Sequence, residues 1–568
     1  MTDFATSQSR GRTAVRGDMR LILLMVVICV CYAAVGLRMG VLALTDPVEP
    51  TLARSGDAGR PVRGDIVDRN GQLLAANLPG WSLYAHPHEM KDPVLVADAL
   101  SGVFPSMDRD DLIKKLTGKR RFVWIKRPVS PRERQAVHEL GYPGLHFGAR
   151  EIRIYPAGRT AGHIVGGVKA EREGVRFAEF VGSAGIEKHF DARLRDPAKA
   201  AEPLRLSIDI TAQAAMRQAM AAGIERFTAK GASAVLMKVK TGEIVALASL
   251  PDFDPNDRPE GFRGAAELNP RFNRVAQGRY ELGSTFKVLT AAMALETGVA
   301  NDATLVKTPP ALKYGRHNIR DFYRMPKQMS VEEIVVKSSN VGSARLSMMI
   351  GTRRFKDYLR KLGFFDPSGL ELSEAARAKP LLPERWTDLS SMTISFGHGL
   401  AASPVHLAAA FATLANDGRR VHPTLIAGGT EPDKPGKRVF SSATSKRMLE
   451  VMRQVVVRGT ARRTDLPGYE IGGKTGTAEK VRPGGGYFSD RVISTFAAVF
   501  PTTEPEYVLI ISLDEPTDRS GPKPVRSAGR TAVPVAADII ARVAPILDMR
   551  PRLMLTDDEV ETLDARLQ

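Results

Sequence analysis

From Leu21 to Leu44 the side chains are almost all apolar, with Arg38 as the one charge near the far end. As a helix this run would measure about 36 Å, enough to cross a bilayer with some tilt. It is long for the core of a cleaved leader, and no small-x-small cleavage site follows it, so an uncleaved anchor over 21–44 is expected. Residues 45–60 then turn polar, with Pro47, Pro50 and Gly56, as a linker does. Asn70-Gly71 stands between Ile66/Val67 and Leu73/Leu74 and predicts a tight hairpin. Residues 88–145 read as mixed, with short helices near Val94–Leu100 and Asp111–Leu116. Leu204–Ile208 alternates like a strand and marks a candidate boundary. Beyond it, Ser233–Val239 and Glu243–Ser249 predict a hairpin turning at Lys240-Thr241-Gly242. Thr285–Glu296 and Val405–Leu414 predict buried helices, and Ser330 with Glu333 predicts a capped helix start. Val492–Phe500 and Tyr507–Leu513 predict neighbouring strands. The end, Met554–Gln568, is short and acidic and predicts a frayed helix or disorder.

At 568 residues the chain is too long for one core. Both cysteines, Cys29 and Cys31, fall inside the apolar run, so no disulfide holds anything after it. Arg10, Arg12, Arg16 and Arg20 outweigh Asp3 and Asp18 before the run, which puts the N-terminus in the cytoplasm and the bulk of the chain outside. The net charge of +18 would suit nucleic acid, but no motif for it is present. Contact with anionic membrane or wall polymers, or a plain solvated surface, accounts for the charge equally well. His163 sits among small and apolar residues without a second ligand nearby, so it reads as packing, not metal.

The chemistry lies in three short stretches. Ser284 and Lys287 are three apart at the start of a helix and so share a face. A serine hydroxyl becomes a nucleophile when a neighbouring neutral amine takes its proton. Ser338 and Asn340 follow at a helix junction, where they would also serve as caps. Lys474, Thr475, Gly476 and Thr477 come last, after Gly472-Gly473. Each spacing alone is weak: Ser520-x-x-Lys523 also fits but lies in a Gly/Pro loop, and Lys240-Thr241-Gly242 lies in a hairpin turn.

The order of the three stretches is that of penicillin-binding proteins and class A β-lactamases. The likeness extends further. Arg63–Ala75 and Gly185-Ile186-Glu187-Lys188 resemble the motifs of the non-catalytic pedestal of class B penicillin-binding proteins. Glu281–Lys287, Lys337–Gly342, Ser395–Leu400 and Ile471–Lys480 resemble catalytic motifs of the septal, division-specific members in Gram-negative bacteria, with Leu282 where proline is usual and His398 where tyrosine is common. The resemblance covers residues 20–540, and the elongation-specific class B protein is the next relative. It implies an α+β chain: a cytoplasmic tail (1–20), a single transmembrane anchor (21–44), a β-rich elongated pedestal (45–203), a transpeptidase domain (204–545) with an antiparallel sheet sandwiched by helices, and a tail (546–568).

The resemblance also implies peptidoglycan D,D-transpeptidation of stem peptides ending in D-Ala-D-Ala, at the division septum of the inner membrane, with the catalytic domain in the periplasm. Ser284 would be the nucleophile, with Lys287, Ser338, Asn340 and Lys474 as catalytic partners. Thr475, Gly476 and Thr477 would hold the substrate carboxylate. No metal or organic cofactor is expected. Partners would be β-lactams, division-complex proteins and a membrane glycosyltransferase. Alternatives are an elongation role, a serine β-lactamase, a D,D-carboxypeptidase and a scaffold with idle catalytic residues.

Overall fold

The computed structural model describes residues 25–37, 39, 63–118, 120–173, 178–259, 261–315, 317–429, 436–482 and 484–552. Two compact units divide the chain at Arg60/Pro61. In the first, residues 25–37 and 39 are helical with exposed side chains. Among the described residues, no helix is long and apolar enough to cross a membrane. The rest of the expected anchor, the cytoplasmic tail, the linker and Met554–Gln568 lie outside the described residues.

The second unit begins with the expected hairpin. Strands β1 (Ile66–Val67) and β2 (Leu73–Ala85) pair antiparallel across Asn70-Gly71, where Gly71 takes φ +87°. The long β2 also pairs with β3 (Val123–Val129) and β4 (Leu145–Ile154). Helices Pro93–Val103 and Arg109–Leu116 close a separate small core around Leu83, Val96, Leu100, Phe104 and Leu112. Each starts on an aspartate, Asp92 or Asp108, whose side chain accepts from first-turn amides.

A buried ionic cluster links this region to its second motif. Arg63 Nε donates to Glu187 Oε2 at 2.6 Å, and Arg153 Nε donates to Glu187 Oε1 at 2.7 Å. Asp191 takes Arg63 Nη1 at 2.7 Å. The two pedestal motifs, more than a hundred residues apart in sequence, are thus two halves of one ion pair. The expected strand at Leu204–Ile208 shortens to Leu204–Arg205 and pairs parallel with β1, because Leu206 bridges instead to Ile426.

The catalytic half is a five-stranded antiparallel sheet. In chain order its strands are β5 (Gly231–Lys238), β6 (Ile244–Leu250), β7 (Gly472–Val481), β8 (Tyr487–Phe500) and β9 (Tyr507–Asp514). Their spatial order is β7-β8-β9-β5-β6. Every residue of β6 and β9 is buried. Since successive side chains point to opposite faces, both faces must be covered. Helices α1 (Ile210–Phe227) and α2 (Ala532–Ile546) pack together on the sheet, and Gly223 lets them approach: a Cβ there would stand 2.7 Å from Val535 Cγ2. Helix α3 (Pro404–Ala415), buried along its whole length, packs on β9, β5 and β8. The sheet sandwiched by helices is therefore as expected, and β7 is left as an edge strand beside the Ser284 turn. His163 is a packing residue, edge-on to Phe253.

Candidate active site

Ser284 lies in a short 3-10 turn, Gly283–Thr285, that runs into the buried helix Phe286–Glu296. Three backbones crowd this turn. A Cβ on Gly397 would stand 1.9 Å from the Gly283 carbonyl oxygen, and one on Gly476 would stand 2.3 Å from the Leu282 oxygen. Only glycine permits this approach, so the loop after Ser395 and strand β7 are pressed onto the nucleophile turn.

Lys287, one helical turn on, is 1% exposed. Its Nζ donates to Ser284 Oγ at 2.9 Å, the Ser338 carbonyl at 2.7 Å and Asn340 Oδ1 at 2.7 Å, with Ser338 Oγ at 3.1 Å. Burial, then the Lys474 charge, push Lys287 well below the ordinary lysine range, while Asp321 opposes. Lys474 arrives on β7, wholly buried, with Nζ 3.1 Å from Ser338 Oγ and 3.0 Å from the Thr475 carbonyl. Burial lowers it to about 7. Ser338 thus joins the two amines, and its backbone takes φ +63°. That strained geometry places both its carbonyl and its hydroxyl on Lys287. The cap of the helix Asn340–Ile350 is Ser339, which accepts from the Gly342 amide at 2.9 Å, and not Ser338 or Asn340.

All eight residues singled out in the sequence are in place. Ser284, Lys287, Ser338, Asn340 and Lys474 form one hydrogen-bonded chain. Thr475 Oγ1 pairs with Thr460 Oγ1 at 2.6 Å, and Thr477 Oγ1 accepts from the Ala528 amide at 3.0 Å. The Thr477 proton is then free to donate. Gly476 serves by its backbone, where the 283–285 turn leaves no room for a side chain.

Sequence reasoning missed two supports. Asp321 accepts from Ser339 Oγ at 3.0 Å and from the Val341 amide at 3.2 Å, and so holds the Ser338–Asn340 junction. Glu281 accepts from the Gly399 amide at 2.7 Å and from Tyr487 OH at 3.0 Å, and burial raises it. His398 stands edge-on to both Phe396 and Tyr487 and is pushed down to about 4, first by burial and then by Lys287. No local sequence signal marks Asp321 or Tyr487.

Residues 232–541 match the model of the penicillin-binding protein transpeptidase domain, and residues 59–200 match that of the penicillin-binding protein dimerisation domain. A probable peptidoglycan D,D-transpeptidase FtsI from Caulobacter vibrioides is 36% identical, covering 96% of this chain and 92% of its own. The peptidoglycan D,D-transpeptidase FtsI of Escherichia coli K12 is 28% identical, covering 88% and 86%. Among solved structures, penicillin-binding protein 3 from Mycobacterium tuberculosis, complexed with aztreonam, superposes with a TM-score of 0.64 at 25% identity, covering 87% of this chain and 99% of that one.

Proposed function

Because the chain belongs to the class B penicillin-binding proteins, with a dimerisation and a transpeptidase domain, we propose that it is a peptidoglycan D,D-transpeptidase of the FtsI type, working through an acyl-serine intermediate. The observation that carries this reading is the desolvated Lys287 amine, 2.9 Å from Ser284 Oγ and braced by Ser338 and Asn340.

Neutral Lys287 takes the Ser284 proton as Oγ attacks the carbonyl carbon of the penultimate D-alanine in a stem peptide. The oxyanion is held by the backbone amides of Ser284 and Thr477, each such donor being worth about 3 kcal/mol. As the intermediate collapses, the C–N bond breaks. The proton passes from Lys287 through Ser338 Oγ to the departing D-alanine amine. An amine from a second stem peptide then attacks the ester carbonyl, and Lys287 accepts its proton and passes it to Ser284 Oγ as the C–O bond breaks. Cationic Lys474 with the hydroxyls of Thr475 and Thr477 holds the terminal carboxylate. Asn340 fixes Lys287.

Within the same reading, a single-pass anchor at 21–44 tethers a periplasmic pedestal (45–203) and transpeptidase domain (204–545) to the inner membrane, with the N-terminus cytoplasmic. Work at the division septum follows the FtsI relatives. β-Lactams acylate Ser284, by analogy with the aztreonam complex of the mycobacterial protein.

The test is labelling with a fluorescent penicillin, wild type beside Ser284→Ala, with mapping of the modified peptide. A stable adduct on Ser284, lost in the variant, is expected. Rapid penicillin turnover would replace this reading with a β-lactamase. A folded wild-type chain that takes no label would leave a scaffold.

A further inference from the structure

Far from Ser284 in sequence, the pedestal carries a second cluster of chemically capable side chains. His86 closes β2 and leads into the 3-10 turn Pro87–Glu89. His146 sits on β4, where it is the register partner of Tyr84. Both imidazoles point at one carboxylate: His86 Nδ1 is 2.8 Å from Glu89 Oε1, and His146 Nε2 is 2.8 Å from Glu89 Oε2. The three ligand-type atoms lie within 4.8 Å of one another, the one such group among the described residues. His88 Nε2 is 3.7 Å from the same Glu89 Oε1.

The rings are held in position. The Tyr84 ring lies 5.4 Å from each imidazole, and the two imidazoles are 4.7 Å apart, centre to centre. The His86 amide donates to the Gly144 carbonyl at 2.8 Å, tying the turn to the start of β4. A carboxylate hydrogen-bonded to two imidazoles is one ordinary use of such residues. The same convergence places two borderline-soft nitrogens and a carboxylate within reach of one ion.

We propose that His86 Nδ1, His146 Nε2 and a Glu89 carboxylate oxygen form a binding site for one divalent ion of the zinc class, with His88 within reach as a fourth ligand. Two imidazoles select zinc over magnesium or calcium, which prefer all-oxygen shells. Ligands about 2.1 Å from a tetrahedral ion stand about 3.4 Å apart, so each imidazole nitrogen, 2.8 Å from a Glu89 oxygen, would open by about half an ångström, and the two nitrogens, within 4.8 Å of each other, would settle to the same spacing. On binding, each neutral imidazole moves its proton to its other nitrogen, so no oxidant or further reactant enters. The ion would pin the Pro87–Glu89 turn to β4. It takes no part in the chemistry at Ser284.

The experiment is zinc titration calorimetry on the full untagged chain in detergent, with X-ray absorption at the zinc edge, for wild type, Glu89→Gln and His146→Asn. One ion per chain is expected, with an absorption pattern showing two imidazoles and affinity reduced at least about tenfold in each variant, since even residues that merely orient a ligand cost that much. Penicillin labelling of Ser284 should be the same in all three with and without zinc, which also reports that each variant folds. No saturable binding by wild type would overturn the proposal, as would wild-type affinity in both variants or absorption lacking imidazole. Loss of labelling in every protein would instead strike at the transpeptidase reading and leave the zinc result standing.

Discussion

At the level of single residues, the site turns on two buried amines that share Ser338 Oγ. Two cations cannot both stay charged there at modest cost, and the proposed mechanism uses neutral Lys287 beside cationic Lys474. Both folded values lie below the ordinary lysine value. For Lys474, folding stability is therefore lowest below about pH 7 and rises as the pH climbs towards 10.5, where the unfolded chain also loses its proton. Rates respond differently. The second-order rate of acylation by an anionic β-lactam should rise with pH as Lys287 loses its proton, then fall above about 7 as free Lys474 loses its charge. In Lys474→Arg the alkaline fall should vanish over pH 6–10, because the guanidinium stays charged. A fall that persists would move that titration to another group. Asp321 supports the Lys287 charge and ties down the Ser338 junction. Asp321→Asn should thus slow acylation by about 10- to 100-fold and shift the rising limb to lower pH, as a pH–rate series would read. The residues of the candidate site were legible in the sequence because spacing and order carry them. Asp321 was not, because its role exists only once residues eighteen positions apart are folded together.

Among the elements, those with a strong apolar period were legible. The helix at Phe286–Glu296, the hairpin of β5 and β6 and the pairing of β8 with β9 all stand where the pattern put them. The misses have physical causes. Strand β8 begins at Tyr487, five residues before the predicted start, because its first part is polar and exposed and so lacks an apolar signal. Strand β2 runs thirteen residues, straight through Pro79-Gly80, an extent that the sequence reading leaves open. Gly80 is admitted because a Cβ would meet Ile152 Cδ1 at 1.9 Å. The Gly397 contact is the sharpest test of how elements build the site. Its φ of +91° and its place against Gly283 make Gly397→Ala doubly strained. The variant should lose penicillin labelling by more than about tenfold, while Gly521→Ala, with open space around it, should keep the wild-type rate.

Over the whole molecule, the pedestal and the catalytic half share one continuous apolar cluster, to which Ile66, Leu74, Ile164 and Ile186 belong along with Leu206, Met216 and Leu236, and polar contacts cross the same seam. Asn256 Oδ1 accepts from the Tyr155 amide at 3.0 Å, and Glu374 Oε1 accepts from the Gly185 amide at 2.9 Å, next to the buried Arg63–Glu187–Arg153 cluster. Glu187 is 0% exposed and carries the charge that both arginines face. Sequence motifs flagged its two halves without showing that they meet. A buried ion pair adds little over a well-packed apolar substitute, but removing one partner strands the other. Glu187→Gln leaves Arg63 with Asp191 and leaves Arg153 without a carboxylate, so it should cost about 3–5 kcal/mol. Apart from the small core around Leu83, the two halves hold one core in common. Chemical denaturation should therefore show this joined body unfolding at lower denaturant in Glu187→Gln, while the acylation rate, measured before that transition, stays at the wild-type value. If acylation falls before that transition instead, the cluster shapes the Ser284 site through Gly185 and Glu374.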